Sequence, residues 1–578
     1  MSRQISPVLI QLGLAAARRL LALIAALAVL VSLGVGSRAA EPACPPAGGD
    51  YPRLYSDWSL FDKAIAEVAS YEPSNERLTG ITSPHHLLAS HLVALGFRAA
   101  SGFRYKRIIL LAPDHFFRSD KPFATTTHGF DTATGRVATD AAAVRQLLDG
   151  RDWIEESCLF DKEHGVRALL PFLHHYFPEA SVIPVAISIK TRRADWERMA
   201  EALAPLVDGE TLIVQSTDFS HYLPHHVARR FDQQTLNTIA SGSLDAIAGL
   251  RQPDHADSAG ALYIQTALQR RLFGAAPLVV ANENMQQYSA GHIEETTSYL
   301  VILFGRFGPG FNNPAEGKER FYYLAGDTMF GRAMTRFLLD ERHSESVENE
   351  ILALTKSRPL VVNLEGVLLP NVPEALEHMT LGMPAELAVD WLKRLNVAGV
   401  GLANNHSMDL GDAGYAETLG ALKQAGIPAF GQGEALELPR LDIVGLTDIG
   451  RNGTDALDLI DPPLLDRLVR PDALRPVVAF VHWGSEYVAA PGPRERMLTD
   501  EMRLRAVSAI VGAHPHVASG ALNALGGGDT LELYTLGNFL FDQTAERSSG
   551  SLLEIRVFEQ GTFFARLIPL PAFYDTPG

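Results

Sequence analysis

Short apolar runs alternate with amphipathic stretches along most of the chain, and a polar motif follows nearly every run. RIILLAP (107–113), TLIVQS (211–216), VVAFV (477–481) and AIVGA (509–513) have the length and bulk of buried strands. Alternation of such runs with helical stretches predicts layered α/β structure. In the first half, the run ending Ile81-Thr82-Ser83 leads to Pro84-His85-His86, RIILLAP leads to Asp114-His115, and TLIVQST leads to Asp218-Phe219-Ser220-His221. In the second half, FYYLAG leads to Asp327, PLVV to Asn363-Leu364-Glu365, and VAGVGLA to Asn404-Asn405-His406. VVAFV then leads to His482-Trp483-Gly484 and AIVGA to His514-Pro515-His516. Ligand sites in open α/β sheets gather at the carboxyl ends of strands, so each half is expected to assemble one polar site there.

The N-terminus breaks this pattern. Arg3, Arg18 and Arg19 precede an unbroken apolar or small run from Leu20 to Gly36, which reads as a secretory signal or an uncleaved membrane anchor. Small residues follow at Ser37, Ala39 and Ala40, so residues 1–40 are expected to direct the rest out of the cytoplasm, to the periplasm or cell surface. Residues 41–76 read as a linker and N-terminal extension, and 308–319, rich in Gly, Pro and Asn, as a second linker. These breaks leave domains at 77–307 and 320–572.

With 47% hydrophobic and 20% charged residues, the 578-residue chain is globular rather than fibrous or disordered. Its formal net charge of −17, with no compensating basic run, argues against nucleic acid as a partner. Two cysteines exclude a disulfide scaffold, an iron–sulfur cluster and a Cys-rich zinc site, although Cys44 and Cys158 can pair in an oxidising compartment.

The second-half set, Asp327, Glu365, Asn405, His406, His482, His514 and His516, combines carboxylates, an amide oxygen and imidazoles, the donors of Mn, Fe, Zn or similar divalent ions. A carboxylate between two cations can bridge them, and a metal pair stabilises both oxygens of a phosphoryl displacement. His406 is placed to protonate a leaving alkoxide or to stabilise charge on phosphate oxygens. The first-half set is His85, His115, Glu163, His164, Asp218 and His221. Two histidines with a carboxylate can form a facial triad for one non-haem iron, and the same residues can act as acid and base.

The motifs GDTMF (326–330), NLEG (363–366), ANNHSMDLG (403–411), HWGSEY (482–487), GAHPHV (512–517) and YTLGNFLFD (534–542) resemble, in their order, the CapA-type poly-γ-glutamate capsule synthesis proteins, relatives of calcineurin-like metallophosphoesterases. The resemblance implies a four-layer α/β/β/α sandwich with a dinuclear centre. It implies Asp327 and His516 on one metal, Asn405, His482 and His514 on the other, Glu365 bridging, and His406 as catalytic acid. Where the wider phosphoesterases have Asp-x-His, this chain reads Asp327-Thr328-Met329, so one ligand of the first metal is absent; Asn538 is expected to shape the rim. In the first half, SPHH (83–86), LLAPDH (110–115), EHGVRALLPFL (163–173) and STDFSHY (216–222) resemble the Memo family, which includes protein B of the AmmeMemoRadiSam system. That resemblance implies an α/β fold like the class III extradiol dioxygenases, with a metal on histidines matching His85 and His115 and on a cysteine, where this chain has Ala259.

The expectation is an exported protein whose second half is a metal-dependent hydrolase of a phosphoester or of an anionic cell-envelope polymer. The alternatives are a non-hydrolytic factor in synthesis or export of such a polymer, and an iron-dependent oxidoreductase in the first half. The N-terminal segment, if uncleaved, makes the membrane a partner.

Overall fold

The computed structural model describes residues 44–574 except 309, 313–316, 375, 377–378, 451–458, 471–474 and 546–547. The apolar run at 20–36, read as a signal or anchor, lies outside the described residues, among which no helix is long and apolar enough to cross a membrane.

The first half is built on a nine-stranded mixed sheet. Its centre is four parallel strands in the order Gly80–Ser83, Thr211–Ser216, Arg107–Pro113 and Ser181–Ile187. They are buried almost throughout, as the continuous apolar runs require when helices cover both faces. The antiparallel strands Thr296–Gly305 and Ala276–Asn284 extend one side, and Phe219–Leu223 pairs with the former. Because the central strands are parallel, His85, His115 and Asp218 all emerge at one end of the sheet.

Within the stretch expected as a linker and extension, residues 44–76 contribute side chains to this domain's core. Phe61, Ala64 and Val68 are buried on and just beyond helix Ser59–Glu67, and Tyr51 is fully buried against Phe130. Their three- and four-residue spacing is an apolar helical stripe that the Pro- and Gly-rich start of the segment obscures. Cys44 and Cys158 form a disulfide that pins this segment down.

The second half stacks two six-stranded sheets. One runs Ala429–Phe430, Val397–Gly401, Leu360–Leu364, Arg320–Thr328, Gly550–Val557 and Phe563–Leu570. The other runs Ala435–Leu438, Leu441–Thr447, Val477–His482, Ala509–Ala513, Thr530–Leu533 and Asn523–Leu525. Leu324, Val361 and Ile555 of the first meet Ile443, Val478 and Val511 of the second in one apolar cluster. Separate clusters join each outer face to helices, through Ile351, Trp391 and Leu422 on one side and Leu465, Leu498 and Met502 on the other. The layers are therefore α/β/β/α.

Polar contacts weld the halves together. Helix His225–Ser241 of the first half lies on the second, where Asn237 Nδ2 donates to Gly528 O at 2.7 Å and Arg230 pairs with Asp529. The fully buried Arg556 donates to Val279 O at 3.0 Å, and Gln560 reaches Asn282. A cleft of about 1020 Å³ lies along this junction beside Leu88, Glu283 and Phe558, and no residue of either His cluster lines it.

Candidate metal centres

In the second half the parallel strands Arg320–Thr328, Leu360–Leu364 and Val397–Gly401 of one sheet, and Val477–His482 and Ala509–Ala513 of the other, deliver all seven predicted residues to one buried site. Glu365, His482 and His514 offer ligand atoms within 4.8 Å of one another, and so do Asp327, Glu365 and His516. Glu365 is common to both groups. Asn405 joins the former, its Oδ1 2.7 Å from His482 Nε2. His406 Nε2 lies 3.8 Å from Glu365 Oε1.

The backbone bends to make this possible. His514 and His516 both adopt left-handed φ, 94° and 59°, a costly conformation for a non-glycine residue that concentrates at functional sites. Gly512 is required before them, because a Cβ there would meet Tyr534 O at 1.7 Å. The His514 backbone N–H donates to both oxygens of Asp327, at 3.0 and 3.2 Å.

Residues that lie in the same motifs but were not among the seven hold the donors in place. Asn363 Nδ2 donates to Asp327 Oδ1 at 2.8 Å and faces His482 Nδ1 at 3.2 Å. Asn404 clamps the following turn, its Oδ1 accepting from the backbone N–H of His406 and of Ser407. Asp409 Oδ2 lies 2.8 Å from His406 Nδ1 and so points Nε2 toward Glu365. The signal for Asp409 was its i+3 spacing from His406.

Two observations test whether these residues fit metal ions. Glu365 Oε2 and His514 Nδ1 are buried with no hydrogen-bond partner, an expensive arrangement unless a cation is meant to satisfy them. Protons also crowd in where positive charge is needed. Burial together with the Asp327 charge pushes Glu365 up to about 8. Burial opposes charge on His516, but the Asp327 hydrogen bond and the Glu365 and Asp327 charges outweigh it and raise it to about 9. His482 and His514 are held neutral chiefly by burial, His514 at about 4, which is the ligating form. The donor set fits divalent metal, with Glu365 common to both groups.

In the first half, the predicted His85, His115, His164, Asp218 and His221 also converge. They surround a residue absent from the predicted set: Asp257 Oδ2 lies 3.2 Å from His85 Nε2, 3.6 Å from His115 Nε2 and 3.7 Å from His221 Nε2. Asp218 Oδ2 lies 3.4 Å from His85 Nε2, and the His164 ring stacks on His115 at 3.9 Å. Glu163 serves differently. Its Oε2 accepts from the His115 backbone N–H at 3.0 Å, and its Oε1 lies 2.6 Å from His115 Nδ1, which turns Nε2 toward Asp257. Glu163 therefore orients a donor rather than facing the centre. Ala259, aligned with the Memo cysteine, opens helix Ala259–Leu268 and is buried in the core. Ser258 caps that helix, accepting from Ala261 N at 3.2 Å, and leaves Asp257 outside it to face the histidines. His221 Nε2 and Asp257 Oδ1 are buried without hydrogen-bond partners. Burial and Asp257 raise Asp218 to about 7, burial holds His85 far below its usual range, and Asp257 and Glu163 outweigh burial to lift His115 to about 10. His85, His115 and His164 offer ligand atoms within 4.8 Å of one another, as do His85, Asp218 and Asp257, so this set too can hold metal.

The fold and the two clusters define a two-domain α/β protein with a His–carboxylate centre at the strand ends of each half. Comparison with known proteins identifies both halves. Residues 46–301 match the family model described as Memo-like protein, and residues 322–444 and 468–543 match that of the bacterial capsule synthesis protein PGA_cap. The chain thus joins a Memo-family domain to a PGA_cap-family domain. A MEMO1 family protein of Caldivirga maquilingensis is 23% identical over 204 residues, covering 34% of this chain and 72% of the relative. The PGA biosynthesis protein CapA of Bacillus subtilis is 27% identical over 278 residues, 44% of this chain and 72% of the relative. A MEMO1 family protein of Pyrobaculum arsenaticum is 23% identical over 273 residues, 43% of this chain and 92% of the relative.

Proposed function

We propose that the second half is a metal-dependent hydrolase of the cell envelope, cleaving a phosphoester or a bond of an anionic surface polymer. The observation that carries this reading is the pair of ligand groups meeting at Glu365, with His406 3.8 Å from that carboxylate and held by Asp409. When bound, divalent ions supply Lewis-acid stabilisation of charge on the substrate oxygens. His406 carries a proton at Nε2 to the leaving oxygen, while Asp409 holds Nδ1 and fixes the ring. Asn363 and the His514 backbone N–H fix Asp327, so the donors need little rearrangement. An anionic substrate is compatible with a chain of net charge −17, because bound cations reverse the local field.

The Cys44–Cys158 disulfide supports action outside the cytoplasm, where such bonds persist. The apolar segment at 20–36 supplies the export signal, or a membrane anchor if uncleaved. A second reading, a non-hydrolytic factor in synthesis or export of an anionic capsule polymer, is favoured by Met329 standing where an imidazole ligand would be and by the biosynthetic name of the Bacillus subtilis relative. Incubation of the Mn-loaded full chain with aryl phosphodiesters and with poly-γ-glutamate decides between them. Turnover abolished in His406→Ala supports hydrolysis, and saturable polymer binding without bond cleavage supports the second reading.

For the first half we propose one hard divalent ion on His85, His115, His221 and Asp257, supported by three imidazole nitrogens facing one carboxylate oxygen. Iron at that site makes oxidoreductase chemistry its alternative activity. Iron-dependent oxygen uptake with catechols tests this, and no uptake removes it.

A further inference from the structure

We propose that Asn538 is itself a metal ligand, its Oδ1 replacing on the first ion the imidazole that this chain lacks at Met329, and that this ion is therefore the harder and more weakly held of the pair. The inference rests on the dinuclear reading above. Met329 cannot fill the role. It is fully buried in the apolar cluster beneath the helices, and its sulfur accepts from Gly331 N at 3.0 Å. That leaves Asp327, Glu365 and His516 as donors, with the buried Glu365 Oε2 unpartnered.

Asn538 stands beside them because of backbone pairing. Asp327 N donates to Gly537 O at 3.0 Å, and Phe539 N donates to Asp327 O at 2.9 Å, which sets the two Cα atoms side by side. Gly537 makes this approach possible, with φ 68° and Ser549 O only 1.9 Å from where a Cβ would be. The amide is oriented: its Nδ2 donates to Gln543 Oε1 at 3.0 Å, so Oδ1 faces the site. Oδ1 lies 2.8 Å from His516 Nδ1, which in turn lies 3.3 Å from Asp327 Oδ2. Adjacent donors at right angles about 2.1 Å from an octahedral ion stand about 3.0 Å apart, so these spacings match edges of one coordination shell. The first ion would then have one imidazole among oxygens, a set suited to Mn(II) or Mg(II), whereas the second has His482 and His514 with Asn405.

The test uses the full chain stripped of metal and titrated with Mn(II), read by ion count, by electron paramagnetic resonance and by anomalous diffraction at the Mn edge. In the wild type the spin-coupled pair and an Asn538 Oδ1 within about 2.3 Å of the weaker ion are expected. Asn538→Ala is expected to lose that ion, or to weaken it by about 100-fold, leaving an isolated Mn(II) signal. Asn538→Asp, which places a charged oxygen at the same point, is expected to keep the pair and tighten the weaker ion at least tenfold. A wild type without a coupled pair would sink the dinuclear reading and this inference together. A wild-type pair that survives unchanged in Asn538→Ala would sink the inference alone, as would an Oδ1 more than 3 Å from the ion or an Asn538→Asp that binds no tighter.

Discussion

The two halves collect histidines at the same kind of place, beyond the carboxyl ends of parallel strands, and differ in how carboxylates are set among them. In the first half one oxygen of Asp257 faces three imidazoles, and the two ligand groups, His85 with His115 and His164 and His85 with Asp218 and Asp257, share an imidazole. In the second, the shared donor is a carboxylate: Glu365 belongs to one group containing His482 and His514 and to another containing Asp327 and His516. A carboxylate can bridge two cations whereas a neutral imidazole offers one lone pair, and composition alone does not reveal which of them is shared. The same comparison separates donors from residues that aim them. Glu163 and Asp409 each spend an oxygen on an imidazole Nδ1, and each thereby presents the opposite nitrogen to the site.

Glu365→Ala is the severest way to break the contrast. Without the bridge, three imidazoles and Asp327 lose the charge shared by both groups, and the second-half metal is expected to be lost while the first-half metal stays. Metal analysis of the full chain checks this, and retention of two ions at the second half would show that Glu365 is not the bridge. His406→Ala comes next. Loss of a general acid is expected to lower kcat by about 10²–10⁴-fold with the metal content unchanged, as steady-state kinetics on the loaded protein would show. Asp257→Ala is the matching change in the first half. Removing the carboxylate that faces His85, His115 and His221 is expected to weaken the ion there by about 100-fold and leave second-half turnover intact, measured by competition with a chelator.

How far these features could be read from sequence depended on how local their cause was. All seven second-half residues sat directly after apolar runs, and parallel strands carried them to one place. The α/β/β/α layering came from the family motifs, since alternation of runs and helices does not say how many sheets form. Asp257 escaped because the resemblance drew attention to Ala259, two positions on. The choice between them is made by a helix cap at Ser258, which turns Ala259 into the core and leaves Asp257 facing the histidines. Asn538 could be placed only at the rim, because its neighbour Asp327 is more than two hundred positions away in sequence and only strand pairing joins them. The apolar stripe of Phe61, Ala64 and Val68 is hidden in the sequence by the Pro and Gly residues that open its segment.

The mildest test is pH, and it sharpens the comparison without a mutation. In the metal-free second half Glu365 is held at about 8 and His516 at about 9, so near pH 7 both carry protons that a metal ion must expel. Both values lie above neutrality, so the sign is fixed: metal binding is opposed at low pH and eased as pH rises. Each proton expelled makes apparent affinity rise by about tenfold per pH unit below its pKa. The slope should therefore be near two protons from pH 7 toward 8, fall toward one between 8 and 9, and flatten above. In the first half His115 is held at about 10 and Asp257 also raises His221, so proton release there should persist to higher pH, until about 10. Isothermal titration in buffers of different ionisation enthalpy counts the protons released at each site, with Asp257→Ala and Glu365→Ala used in turn to silence one half. Equal, pH-independent proton release at the two sites would mean that the carboxylates do not set the two centres apart.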